Sequence, residues 1–141
     1  MSDCELCEKS GGEVLWQDSR CRVVRVGGAE GEAFPGFCRV IWQAHVREMA
    51  DLAPADRAHL REVVDAVESV VRGVMNPDKI NLASLGNVVP HLHWHVIPRW
   101  ADDSHFPAPI WANPCRAVPT RKVPESNALA NALMSFLGDS R

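Results

Sequence analysis

From Pro54 to Met75 the apolar residues Leu60, Val63, Val64, Val67, Val70, Val71, Val74 and Met75 recur at three- and four-residue steps, while Arg57, Arg61, Glu62, Asp65, Glu68 and Arg72 fall on the other faces. This period predicts one long amphipathic helix. Its stripe is built mostly of valine, which is stiff at χ1 and a weak helix former, so the helix depends on a surface to pack against. Pro54 suits the first turn and Asp56 the positive N-terminal end, although Ala53 is a poor cap. Asn76-Pro77-Asp78 ends the run.

The surface has to come from the short β-type runs on either side. Before the helix stand Val14 to Trp16, Cys21 to Val26 and Phe37 to Trp42, separated by Gly27-Gly28 and Pro35-Gly36. After it stand Lys79 to Ser84 and Leu92 to Pro98, joined by the connector Leu85 to Pro90. Five such runs and one helix predict an α+β fold with a five-stranded, mainly antiparallel sheet backed by the long helix. Beyond Trp100 the prolines Pro107, Pro109, Pro114, Pro119 and Pro124 predict an extended surface arm over residues 101–141. The arm closes in a short helix over Glu125 to Leu137, where Leu129, Leu133, Phe136 and Leu137 share a face. The chain of 141 residues is expected to be one domain, 1–141, without repeats.

Charge narrows the partners. The formal net charge is -3 and the 15 basic residues are scattered, so the basic stripe of a duplex nucleic-acid reader is missing. A small anionic substrate is compatible, because backbone amides, a few arginines and imidazoles bind phosphate without making a protein basic. No apolar stretch approaches the roughly 20 residues that cross a bilayer. The start, with Asp3 and Glu5 ahead of any apolar run, lacks the basic-then-apolar order of a secretory leader, which predicts a cytoplasmic protein without membrane contact. Five cysteines, Cys4, Cys7, Cys21, Cys38 and Cys115, then read as thiols or metal ligands rather than disulfides.

The chemistry concentrates in His91-Leu92-His93-Trp94-His95. In an extended strand alternate side chains share a face, so the three imidazoles are expected to project together at about 6.6 Å steps, with Leu92, Trp94 and Val96 on the apolar side. A strand that merely happens to carry histidines is poor packing material, since imidazoles are polar if buried. Two strand histidines with a third elsewhere could also ligate a catalytic zinc that keeps an open position for water.

The stretch from His91 to Arg99, His-Leu-His-Trp-His-Val-Ile-Pro-Arg, resembles the signature of the histidine-triad superfamily of nucleotide hydrolases and transferases. The resemblance extends over Val40-Ile-Trp-Gln-Ala-His45, the long helix, Asn81 and the Gly86-Asn87 connector, about Cys4 to Trp100 in all. Residues Ala101 to Ala112 are similar to the arm of a bacterial branch described as diadenosine tetraphosphate hydrolase-like. The resemblance implies His93 as a nucleophile that forms a nucleotidyl-histidine intermediate, a role open to a neutral imidazole near pH 7. It implies that His95, Asn87 and backbone N–H groups of the connector stabilise phosphoryl charge, with Asn81, Gly86 and Arg99 also at the substrate. In relatives with an N-terminal Cys-x-x-Cys the first triad histidine completes a structural zinc site. That implies Cys4, Cys7, His45 and His91 as ligands here; without zinc, His45 and His91 would orient the strand by hydrogen bonds. No organic cofactor is implied, and no carboxylate cluster calls for magnesium.

By the same resemblance Trp16, Val26, Phe37 and Val40 wall the nucleoside pocket, and Trp100 and Trp111 cover the site or a dimer partner. His105 stands at the rim, while His59 is read as solvated on the helix. A homodimer is implied whose sheets join across the two-fold axis and whose arm reaches the neighbouring site. The sequence departs from the family pattern at Trp42-Gln43-Ala44, in a shortened glycine-rich loop, and at Val88, where a hydroxyl residue is common. The expected activity is cleavage of a nucleoside monophosphate from a phosphoanhydride or phosphoramidate, with a diadenosine polyphosphate favoured. Its rivals are a non-catalytic nucleotide-binding module on the same fold and a zinc-hydroxide hydrolase.

Overall fold

A computed structural model describes residues 4–140; Asp3 and the two ends of the 1–141 range lie outside the described residues. In chain order the elements are α1 (Glu5–Glu8), β1 (Glu13–Gln17), β2 (Cys21–Arg25), α2 (Gly28–Ala33), β3 (Cys38–Trp42), α3 (Pro54–Met75), β4 (Lys79–Ala83), β5 (His93–Arg99) and α4 (Ser126–Leu137). The strands form one sheet in the order β1-β2-β3-β5-β4, and each neighbouring pair is antiparallel. The expected α+β class and five-stranded sheet with one long helix hold.

Helix α3 covers the residues its period predicts, and its valine stripe is buried: Leu60, Val63, Val67 and Val71 are all but inaccessible. They pack on the sheet face made by Cys21 and Val23 of β2, Val40 and Trp42 of β3, and Val96 of β5. Burying such side chains contributes roughly 1.5–3 kcal/mol each, which offsets the weak intrinsic helicity of valine. The helix stops at Asn76, whose left-handed φ of 48° closes the last turn while its N–H donates to the Arg72 carbonyl at 3.0 Å. Asparagine tolerates that conformation and Pro77 forbids continuation.

Alternation then forces Val24, Arg39, Ile41, His93, His95, Ile97 and Arg99 onto the opposite face. The β3–β5 register sets Ile41 against His93 and Arg39 against His95. This face is covered only in part, by α1 with Leu6 near one end and by Phe34, Phe37 and Ile110 near the other. The gap between those two covers leaves a cavity bordered by His93 and His95, which are themselves largely buried.

Two findings differ from expectation. The one-turn α1 and the six-residue α2 are too short to show a period; Gly27-Gly28, expected as plain punctuation, leads straight into α2. The start of the arm is not an extended surface strand either. It folds back in tight turns, burying Asp103, Ser104 and Ile110, because the Asp103 carboxylate pairs with Arg99 at 2.8 Å. Residues 113–125 do run extended before α4, which packs on α3 and β1 and is pinned where Trp16 Nε1–H donates to the Gly138 carbonyl at 2.9 Å.

Candidate active site and metal-binding cluster

Strand pairing in β5 begins at His93, so His91 precedes the strand, and the expected row of three rings divides into two sites. The His91 Nε2–H donates to the Trp42 carbonyl at 2.5 Å. That leaves Nδ1 as the lone-pair nitrogen, and Nδ1 lies 3.2 Å from Cys4 Sγ, 3.4 Å from Cys7 Sγ and 3.3 Å from His45 Nδ1. Cys7 Sγ is in turn 3.4 Å from His45 Nδ1. One lone pair accepts one good hydrogen bond, so three donors crowded about it fit a shared cation better than a set of hydrogen bonds. The edges agree: a zinc tetrahedron with bonds of about 2.3 Å to sulfur and 2.05 Å to nitrogen has N–N edges of about 3.3 Å and S–N edges of about 3.6 Å. The backbone carbonyl that orients His91 is the usual outer partner of a ligating imidazole.

The cysteine-bearing turn is held by a residue that sequence reasoning overlooked. Arg22 is 7% exposed, and its guanidinium donates to the carbonyls of Leu6, Lys9 and Ser10 at 2.7, 3.1 and 2.8 Å and to Gln43 Oε1 at 2.6 Å. A second group of metal-type donors, Asp18, Cys21 and His59, is already satisfied as a hydrogen-bonded turn. There the Asp18 carboxylate accepts from the Arg20 and Cys21 N–H groups at 2.8 and 2.9 Å and meets His59 Nε2 at 2.7 Å. His59 is therefore half-buried and paired rather than solvated.

His93 and His95 make the other site. The His93 Nδ1–H donates to the His91 carbonyl at 2.6 Å, which leaves Nε2 with the lone pair. The ring borders two cavities, of about 360 and 550 Å³, that meet along Leu85, Gly86 and His93. His95 stands edge-on to it, the ring centroids 4.9 Å apart, and accepts a hydrogen bond at Nδ1 from Arg39 Nε at 3.3 Å. Burial, then His93, then the Arg39 cation push the His95 pKa down to about 3; burial and Arg39 also lower that of His93. Both rings are neutral at pH 7, so His93 offers a lone pair and His95 an N–H.

Gly86 and Asn87, expected at the phosphate, line the larger cavity. Gly86 adopts φ +77°, a turn conformation that glycine takes without strain. Arg99 and Asn81, also expected at the substrate, line neither of these two cavities. Arg99 is 2% exposed and its donors are spent on Asp103, on Asn81 Oδ1 at 2.8 Å and on the Ala108 carbonyl at 2.8 Å, because Asp103 supplies a buried carboxylate four residues on. Trp16 and Val40 belong to the core beneath α3, and Val26 and Phe37 to the cluster with Phe34 and Ile110, so the expected nucleoside wall is core instead. The observed apolar wall is Leu6, Leu85, Val88, Val89 and Trp111, whose ring stands 5.1 Å from that of His95. Trp100 is buried under Arg121 at 4.0 Å, and His105 bonds Ser104 Oγ at 2.7 Å and lines neither of these two cavities.

A family model described as HIT domain matches residues 13–102. AP-4-A phosphorylase of Mycobacterium tuberculosis (strain CDC 1551 / Oshkosh) is 31% identical over 78 residues, 51% of this chain and 40% of that protein. The asymmetrical bis(5'-nucleosyl)-tetraphosphatase of Schizosaccharomyces pombe is 34% identical over 70 residues, 46% of this chain and 38% of that protein. The matched stretch thus spans well under half the length of these curated relatives. Among solved structures, a histidine triad protein from Sinorhizobium meliloti 1021 aligns with a TM-score of 0.71 at 25% identity, covering 97% of this chain and 96% of that one. A structure described as a zinc-bound histidine triad family protein from Mycobacterium smegmatis aligns with a TM-score of 0.60 at 20% identity, covering 96% and 93%. The likeness to these structures is one of fold.

Proposed function

Since the chain belongs to the HIT domain family, we propose that it is a nucleotide hydrolase in which His93 attacks the α-phosphorus of a phosphoanhydride or phosphoramidate, with a diadenosine tetraphosphate-type compound as favoured substrate. The observation that carries this reading is the His93 tautomer: Nδ1–H is committed to the His91 carbonyl, so the lone pair sits on Nε2 of a ring bordering both cavities. Attack forms a P–N bond and breaks the bond to the leaving group. Water then cleaves the nucleotidyl-His93 intermediate and releases the nucleoside monophosphate, its protons passing to solvent. Asn87, the His95 N–H and connector amides stabilise charge on the phosphoryl oxygens. Of the residues first expected at the substrate, Arg99 and Asn81 act from the arm anchor rather than by contact.

Cys4, Cys7, His45 and His91 would hold a structural zinc. With four protein donors the set is closed, so the ion would supply folding energy and fix His91, not a metal-bound nucleophile. This supports a structural zinc over the zinc-hydroxide reading. The homodimer is supported by the edge of β4, the free end of the sheet, whose Leu82 is 40% exposed, whereas β1 at the other end is tied to Ser140 through the Gln17 N–H at 2.9 Å. Light scattering that gives the monomer mass would exclude it. The same reading places the chain in the cytoplasm, where the ligand thiols stay reduced. Among the described residues no helix is long and apolar enough to cross a membrane.

The test is incubation with diadenosine tetraphosphate, with and without inorganic phosphate. Hydrolysis yields AMP and ATP, and His93→Ala should abolish it while the fold persists. ADP in place of AMP when phosphate is present would assign the second step to phosphate instead of water. Binding of AMP with no turnover, and with no base-stable, acid-labile nucleotidyl-protein after an alkaline quench of the tetraphosphate reaction, would make the chain a binding module.

A further inference from the structure

Arg39 is the one cation among the described residues that line the larger cavity. The β3–β5 register sets it across from His95, and its Nε–H donates to His95 Nδ1 at 3.3 Å. Its side chain is 23% exposed, and its Nη2 reaches Glu30 only at 3.8 Å, so the guanidinium is not consumed by an ion pair as that of Arg99 is. An imidazole that accepts at Nδ1 carries its proton on Nε2. Beside a fixed cation it can donate a hydrogen bond through that proton, but it holds no second proton to release.

We propose that Arg39, by locking His95 in the Nε2–H tautomer and placing a guanidinium in the cavity, restricts the site to leaving groups that depart as stable anions, namely polyphosphate chains. This rests on the assignment of His93 as nucleophile. With a dinucleoside polyphosphate, the His93 Nε2 lone pair forms the new bond to the α-phosphorus, the bridging P–O bond breaks, and its electron pair stays on the polyphosphate oxygen. That oxygen is stable as an anion near neutral pH, so no proton is transferred. Arg39 and the His95 N–H meet the developing charge by hydrogen bonds. With a phosphoramidate the breaking bond is P–N, and the departing nitrogen requires a proton that neutral His95 does not supply. The site thereby selects anhydrides over amides of the same nucleoside monophosphate.

The experiment compares kcat/KM for diadenosine tetraphosphate and adenosine 5'-phosphoramidate in the wild type, Arg39→Leu, Arg39→Lys and His93→Ala, alongside nitrogen-15 NMR of the histidine side chains with His95 assigned through His95→Gln. The wild type should prefer the anhydride and show His95 protonated on Nε2. Arg39→Leu should lose about 100-fold on the tetraphosphate, the scale of one lost charge-stabilising donor. Its loss on the phosphoramidate should be much smaller, and its His95 signal should become a tautomer mixture; Arg39→Lys should recover part of the anhydride rate. Equal losses on both substrates, or a wild-type His95 protonated on Nδ1, would overturn the proposal. Turnover that survives in His93→Ala would defeat the nucleophile assignment instead, while the NMR result on the unmodified protein would still report on the Arg39 lock.

Discussion

Replacing Asp103 by alanine tests how the arm that carries Trp111 is fastened. The Asp103 carboxylate is inaccessible and faces a guanidinium that is 2% exposed, with Arg99 Nε and Nη2 donating at 2.8 and 3.1 Å. The N–H groups of Trp100, His105 and Phe106 donate to it at 3.0, 3.0 and 2.7 Å. Removing one partner of such a pair strands the other charge in the interior, which costs about 3–5 kcal/mol. Urea unfolding at pH 7 should show a loss of that size. Arg99→Met combined with Asp103→Leu removes the charge together with its partner and should recover most of it. Acid supplies an independent check. Burial alone would raise the carboxyl pKa, but the hydrogen bonds from Arg99 and the three amides bring it from 3.8 to about 2. A carboxyl whose folded pKa is depressed binds fewer protons when folded, so its contribution is complete above its unfolded pKa and drains away as pH falls through about 2. The shift corresponds to about 2 kcal/mol. Between pH 5 and pH 2 the wild type should therefore lose about 2 kcal/mol more than the double variant. A loss below about 1 kcal/mol in Asp103→Ala, or superimposable acid profiles, would refute the reasoning.

Arg22→Met should release the turn that carries Cys4 and Cys7 and weaken zinc retention by about 10- to 100-fold in a chelator competition, the usual cost of losing outer support at a metal site; unchanged retention would remove Arg22 from that role. Iodoacetamide at pH 8 should modify Cys115 in the native protein and spare Cys21 and Cys38, whose thiols burial pushes up to about 12. Cys4 and Cys7 should react only after chelation, so their labelling beforehand, read by mass spectrometry, would argue against a bound ion. Trp111→Ala should raise KM for diadenosine tetraphosphate about 2- to 10-fold with a smaller effect on kcat, the equivalent of roughly 0.5–1.5 kcal/mol for an aromatic contact. A change confined to kcat would place Trp111 with the chemistry rather than with binding.

The elements that could be read from the chain are those whose pattern repeats. Helix α3 has six turns of valine and leucine at helical spacing, and its predicted and observed limits coincide at Pro54 and Met75. The strand runs are found within a residue or two, whereas α1 and α2 are shorter than any period that would reveal them. At the site, Gly86 and Asn87 were singled out by the resemblance of this stretch to the histidine-triad signature, and both line the cavity beside His93.

The misplacements share a physical origin, which is that alternation assigns a residue to a face of a strand but not to a neighbour on that face. Arg99 shares its face with His93 and His95, so a phosphate role was a sound expectation. What decides its position is Asp103, a residue of the following turn that draws the guanidinium under the arm and takes Asn81 with it. Arg39 is the converse case. Within its own strand it is an unremarked arginine in Cys38–Trp42, and it joins the site only because β3 lies beside β5 in a register that aligns it with His95. A shift of one residue in that pairing would turn Arg39 toward the valines of α3 and leave His95 without its donor. The chemistry of the histidines therefore depends on a pairing between strands 50 residues apart in sequence, which no window along the chain contains.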